Sequence, residues 1–275
     1  MAKRNRTVDD AVISKRLDSG RGQGKGSSYK PWLQIQDVPS IGLATRIKGW
    51  KTNRVHHFLS NLELNYFYIL EWSSIVTDIR EQYPLLPREE TLALASNCGI
   101  RHPQETRAKT PIVMTCDFLI TIAGNIEDIV VARTVKFSKD LQSKRTREKL
   151  EIERLYWGER KIDWGIVTEQ EIPLVLAKNV EWLHPFKNLE DLELSQDLIK
   201  RIAEFLLIRL AKSQTPLVKN TNFCDDQLGL LPGTSLSVVR YLIANRLWLV
   251  DMNQPIQPSE PLILEKTCTV EERII

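Results

Sequence analysis

At 275 residues the chain has room for one or two domains, and 42% hydrophobic with 27% charged residues is the composition of a folded globular protein, not of a disordered or fibrous one. Its four cysteines, Cys98, Cys116, Cys224 and Cys268, lie far apart and form no C-x-x-C pair, which argues against a zinc knuckle or dithiol redox motif and for reduced thiols in a cytoplasmic setting. No apolar run approaches the roughly 20 residues of a membrane helix, and the basic start MAKRNRTVDD lacks the apolar stretch of a signal peptide, so no membrane partner is expected.

The net charge of +3 is unevenly spread. Residues 1–30 carry eight Lys/Arg against three Asp, and residues 133–149 carry seven against Asp140 and Glu148, a net of +5 in each block. Two basic blocks on an otherwise slightly acidic chain suggest localised phosphate contact, although a solvated helix face and a frayed terminus account for the counts equally well.

In chain order, Asp9 to Leu17 read as a short helix and GRGQGKGSS (20–28) as a Gly/Ser-rich basic stretch, so residues 1–30 are expected to form a mobile basic arm. Residues 53–72 are dense in apolar and aromatic groups. They predict a helix capped by Ser60 or Asn61, with Leu62, Tyr66, Ile69 and Leu70 near helical spacing and Glu63 in its first turn. Residues 74–80 alternate in part and read as a strand, followed by the turn-rich EQYPLLP. IVMTCDFLITI (112–122) reads as a buried strand holding one carboxylate, Asp117; Ala123-Gly124-Asn125 turns the chain and 127–137 return as a strand. A long charged helix over 140–161 and a strand over 162–168 complete an α/β core with a mixed sheet.

LHPFKN (183–188) marks the expected boundary, giving an arm over 1–30, a catalytic domain over 31–184 and a C-terminal domain over 185–275. In the last, 195–212 have the spacing of an amphipathic helix. Residues 231–256 read as turn, helix, strand and turn with Thr234 or Ser235 as N-cap. That is the shape of a mainly α, winged-helix-like module with 236–246 as its recognition helix.

Asp117 and Lys136 are charged groups inside apolar strands. If the connection spans 123–128, residue 117 lies opposite residue 134, and the two-residue period of a strand puts Thr134, Lys136 and Asp117 on one face. A carboxylate that holds a divalent metal, with a lysine nearby to orient water or neutralise developing charge, is what phosphodiester hydrolysis requires. The backbone carbonyl of Val135 and the carboxylate of Glu63 are further candidate metal ligands, and Thr134 an uncertain one. A purely structural Asp–Lys pair has the same spacing. His56 and His57, leading into the helix, read first as structural. Trp32, Trp72, Trp157 and Trp182 read as packing anchors, and the tail LEKTCTVEERII shows no chemistry.

Six segments together carry a resemblance: GRGQGKGSSYKPWL (20–33), RVHHFLSNLEL (54–64), DIREQYPLLP (78–87), TCDFL (115–119) with VKF (135–137), TREKLEIERLYW (146–157) and KNVEWL (178–183). In this order, over the first two thirds of the chain, they resemble the TnsA family, endonuclease subunits of heteromeric transposases of the Tn-seven type. The resemblance implies a restriction-endonuclease-like catalytic domain, two magnesium ions (Mg2+), Glu63 and Asp117 as metal-binding catalytic carboxylates and Lys136 as the catalytic lysine. It implies hydrolysis of the 5′ strand at transposon ends during cut-and-paste transposition, on double-stranded DNA, in the bacterial cytoplasm and at the nucleoid when engaged on DNA. The implied partners are a DDE-type transposase subunit that cuts and joins the 3′ ends and an AAA+ ATPase regulator; whether targeting is guided by a sequence-specific protein or a CRISPR effector stays open. One departure stands out: nucleases of this class carry Glu or Gln two residues before the lysine, and here Thr134 stands there. That keeps a second reading in view, a weak or inactive DNA-binding assembly subunit bridging the transposase and the regulator.

Overall fold

The computed structural model describes residues 8–38, 44–106, 108–188, 194–211 and 214–267. It divides into two compact units, Met1–Ile172 and Pro173–Ile275. Among the described residues no helix is long and apolar enough to cross a membrane.

In the first unit, α1 (Asp10–Asp18) starts where the Asp9 carboxylate accepts the Val12 N–H at 2.9 Å. A hairpin of β1 (Thr45–Lys48) and β2 (Val55–Phe58) follows. The sequence does not signal it, because each strand has four residues and the buried positions of β2 are His56 and Phe58, a polar ring beside an apolar one. Next comes α2 (Asn61–Trp72), opened by a reciprocal cap in which Ser60 Oγ accepts the Glu63 N–H at 3.2 Å and donates to the Glu63 carboxylate at 2.8 Å. Its apolar and aromatic run buries Phe67, Tyr68 and Leu70, and the Phe58 ring packs tilted on Phe67 and stacked on Phe118.

The expected strand is longer than the alternation suggested: β3 spans Val76–Pro84, taking in most of EQYPLLP. It is followed by α3 (Arg88–Asn97), β4 (Thr115–Ile122), β5 (Ile129–Val135), α4 (Lys144–Glu159) and β6 (Asp163–Val167). The sheet order is β3-β4-β5-β6, antiparallel except for the parallel β5/β6 edge, which is the mixed sheet expected. α2 packs on β3 and β5, and α4 on α3 and β6. Leu85, Leu94, Leu119, Ile152 and Trp157 form the core between strands and helices.

The expected mobile arm is corrected over residues 8–30; residues 1–7 lie outside the described set. Tyr29 and Trp32 are 3% and 1% exposed. The Tyr29 hydroxyl donates to the Glu81 carbonyl at 3.1 Å, Gly26 N–H donates to Asp78 at 3.2 Å, and Arg21 pairs with Asp37. The glycines serve close approach, not mobility: a Cβ on Gly22, which has φ +77°, would lie 2.3 Å from Pro84 Cγ.

The second unit holds α5 (Leu174–Leu183), α6 (Gln196–Leu210), α7 (Leu217–Leu228), α8 (Thr234–Ala244) and a two-stranded antiparallel pair, β7 (Trp248–Leu249) with β8 (Lys266–Thr267). The boundary thus falls at 172/173 and not at 184/185. The cause is α5: Ala177, Val180 and Leu183 are fully buried, and Asn179 donates to the Met252 and Gln254 carbonyls at 3.0 and 2.8 Å. The N-cap of α8 is Gly233, not Thr234 or Ser235, because the Asp225 carboxylate of α7 accepts the Gly233 and Ser235 N–H groups, each at 2.8 Å. No residue of α8 is exposed, and its arginine, Arg240, donates to the Trp182 carbonyl and stacks on Phe186 and Trp182. Helix 236–246 therefore presents no free basic face of the kind a major-groove reader needs.

Candidate active site

The pairing of β4 with β5 runs from Ile122↔Ile129 to Phe118↔Arg133 and stops one residue short of Asp117 and Thr134. The β4–β5 pairing ends there, while β5 continues the parallel pairing with β6 that it makes from Val131 onward, through Val135 opposite Val167, and Lys136 N–H donates to the Val167 carbonyl at 3.0 Å, which leaves a fork at the Asp117 end. Asp117 fills the fork. One oxygen, Oδ2, accepts the Val135 N–H and the Lys136 ammonium, both at 2.8 Å. The ammonium also donates to the Val135 carbonyl at 2.9 Å. Carboxylate, ammonium and carbonyl thus meet at one point, with the Asp117 side chain 11% and the Lys136 side chain 35% exposed. Burial pulls the Lys136 pKa down, but Asp117, with help from Glu153 and Glu63, overcomes it and holds the lysine charged above its ordinary range.

Glu63 enters from α2. Its carboxylate accepts the Leu59 N–H at 3.1 Å and the Gln82 amide at 3.3 Å besides the Ser60 hydroxyl. The helix cap that starts α2 is therefore also what aims Glu63. Burial, and next the charge of Asp117, push its pKa up to about 7, against the opposing hydrogen bonds from Leu59 and Ser60.

Thr134 does not join Asp117 and Lys136. Its hydroxyl donates to Glu153 Oε1, a carboxylate of α4 that also accepts the Trp164 indole N–H at 3.1 Å. Sequence reasoning missed Glu153; the signal available was a lone acid at the apolar-face position of TREKLEIERLYW, between Ile152 and Tyr156, which are both buried. Burial raises the Glu153 pKa, Asp117 adds to that, and no cation pairs with Glu153 among the described residues.

The histidines are structural. His56 is fully buried, its ring bridging the Thr52 hydroxyl at 2.7 Å and the Glu81 carboxylate at 2.8 Å, while Arg54 pairs with the same carboxylate. His57 Nδ1 accepts the Ile35 N–H at 3.4 Å. The basic block at 133–149 is partly spent internally: Arg133 pairs with Asp163, Arg145 with Glu148, and Arg147 donates to the Leu141 and Gln142 carbonyls.

Among the described residues no three His, Cys, Asp or Glu side chains stand as a ready metal cage. The donors present are nonetheless those a magnesium ion takes: carboxylate and carbonyl oxygens, few in number, with water filling the remaining positions. Three carboxyl groups, Glu63, Asp117 and Glu153, act electrostatically on one ammonium, Lys136, and two of the three are driven toward their neutral forms. That excess of buried negative charge fits a divalent cation.

Residues 73–169 match the family described as TnsA-like endonuclease N terminal, and residues 171–252 match TnsA endonuclease C terminal. The chain is 42% identical over 246 residues, 89% of its own length and 87% of the relative's, to the transposon Tn7 transposition protein TnsA of Escherichia coli.

Proposed function

The chain belongs to the TnsA family of transposition endonucleases, and on that footing we propose that it hydrolyses the 5′ strand at the ends of a mobile DNA element, with magnesium, at the fork between β4 and β5. The observation that carries this reading is the convergence of Asp117, the Val135 carbonyl and Lys136 within hydrogen-bond distance, with Glu63 in the same field. Asp117, Glu63 and the Val135 carbonyl are the ligands, Thr134 is left to hold Glu153, and the ions number two. A bound divalent ion supplies Lewis-acid polarisation of the phosphodiester and a water acidified for attack. Lys136, kept charged by Asp117, neutralises charge that develops on the phosphate. Glu63, capped by Ser60 and Leu59, keeps its carboxylate fixed on the same locus. The second unit is winged-helix-like by its run of helices α6, α7 and α8 followed by a small antiparallel pair, and serves assembly with the other transposition proteins, a DDE-type transposase and an AAA+ regulator, at nucleoid DNA in the cytoplasm.

The alternative of a decayed, architectural subunit rested on Thr134. Glu153 weakens it, since a buried carboxylate stands where the side chain of residue 134 ends. The test is the metal requirement of 5′-strand cutting. Chelation should abolish it and magnesium restore it, and Asp117→Asn, which takes the charge from a ligand, should need more magnesium for the same rate. Cutting that persists in chelator would overturn the proposal.

A further inference from the structure

A cleft of about 510 Å³ opens beside Lys136 in the first unit. Ile112, Met114 and Leu150 give it an apolar wall, and its charged groups are the cations Lys136 and Lys149 and the carboxylates Asp140 and Glu153. Its size falls within the ~300–1,000 Å³ of pockets that enclose one drug-sized molecule, so it is too small for a duplex and right for one nucleotide. The wall is preformed, with Met114 7% and Leu150 6% exposed. Lys149 sits on α4 in the field of Arg145 and Lys136. Those two cations are committed to Glu148 and Asp117, whereas Lys149 forms no ion pair among the described residues. An apolar wall facing an uncommitted ammonium, one step from the fork, has the polarity of a nucleotide: a flat base to cover and a phosphate to hold.

We propose that this cleft is a nucleotide subsite, in which one nucleotide of the cut strand, next to the scissile phosphodiester, leaves the base stack and lodges with its base against Ile112, Met114 and Leu150 and its phosphate toward Lys149. The proposal rests on the reading of the fork as the cleavage centre. Drawing one nucleotide out of the stack fixes the adjoining phosphodiester over Asp117 and Lys136, which a rigid duplex passing the cleft mouth does not.

The test places 2-aminopurine, which brightens on unstacking, singly at each position flanking the 5′ cut. The full chain is assembled on this DNA with its transposition partners, in calcium to hold back cleavage. The expected result is a severalfold rise in emission at one position only. Thr146→Trp, which fills the cleft from the first turns of α4, and Lys149→Glu should remove the rise. They should lower 5′ cutting in magnesium on the order of 100-fold, the loss expected when a reacting bond is misplaced, while melting temperature stays at the wild-type value in both and DNA retention does so in Thr146→Trp. Unchanged emission at every position with the wild-type protein overturns the subsite, and so does Thr146→Trp cutting at the wild-type rate. Unchanged emission together with lost cutting in Thr146→Trp also overturns it, pointing instead to a seat for a partner's side chain. Asp117→Ala separates the two readings: lost cutting with the emission rise kept supports both, whereas retained cutting sinks the cleavage centre whatever the emission does.

Discussion

Thr134 and Glu153 form one unit: a hydroxyl on β5 that donates to a carboxylate brought to it by α4. Because burial raises the Glu153 pKa, the charged form costs stability in the metal-free protein. Glu153→Gln keeps an acceptor for Thr134 and Trp164 and removes the charge. It should leave the melting temperature level or higher while lowering 5′ cutting about 10–100-fold, the cost of losing a group that supports a metal site. A lowered melting temperature with normal cutting would make Glu153 merely structural. At this scale the sequence was informative where charge interrupts an apolar strand, as Asp117 and Lys136 do. It was silent on Glu153, because an acid in a charged helix looks solvated until the packing of α4 on β6 is known.

At the scale of elements, the Glu81 network ties the β1–β2 hairpin, β3 and the glycine-rich loop together. Burial alone would raise the Glu81 pKa, but His56 and Arg54 overcome it and hold the carboxyl below the ordinary carboxylate range. The folded-state pKa is thus below the unfolded one, so its stabilisation is present above about pH 4.3 and is lost as pH falls further. Wild-type melting temperature should therefore drop steeply below that pH, and Glu81→Gln should show a shallower acid limb. At neutral pH the variant should be about 3–5 kcal/mol less stable, since Arg54 is left without its partner. Equal acid limbs in a pH series of thermal melts would contradict this. None of the network was legible beforehand: Arg54, His56 and Glu81 are separated in sequence and meet only when the hairpin folds over β3. The α2 start and the β4–β5 hairpin were legible, since both are local, one set by a capping serine and the other by a turn of known length. The arm at 8–30 was misread because glycine spacing signals tight packing and flexible linkage alike, and only Tyr29 and Trp32 decide between them.

For the whole molecule, the boundary at 172/173 makes a direct prediction. A fragment of residues 173–275 should unfold cooperatively. One of residues 185–275, without α5, should not, since burying Val180 and Leu183 is worth roughly 1.5–3 kcal/mol each against a total stability of about 5–15 kcal/mol. A cooperative melt of the shorter fragment by circular dichroism would return the boundary to the HPF turn. The sequence showed a change of texture near 183–188 but not which side α5 belongs to, because that is settled by Asn179 reaching the 252–256 segment. Strand-resolved cleavage of transposon-end DNA by the assembled complex in magnesium tests whether the fork between β4 and β5 is a hydrolytic centre. Wild type should cut both strands, while Asp117→Ala and Lys136→Ala should lose the 5′ cuts and keep the 3′ cuts made by the partner. Equal 5′ product in all three proteins would leave the fork a structural ion pair and not a hydrolytic centre.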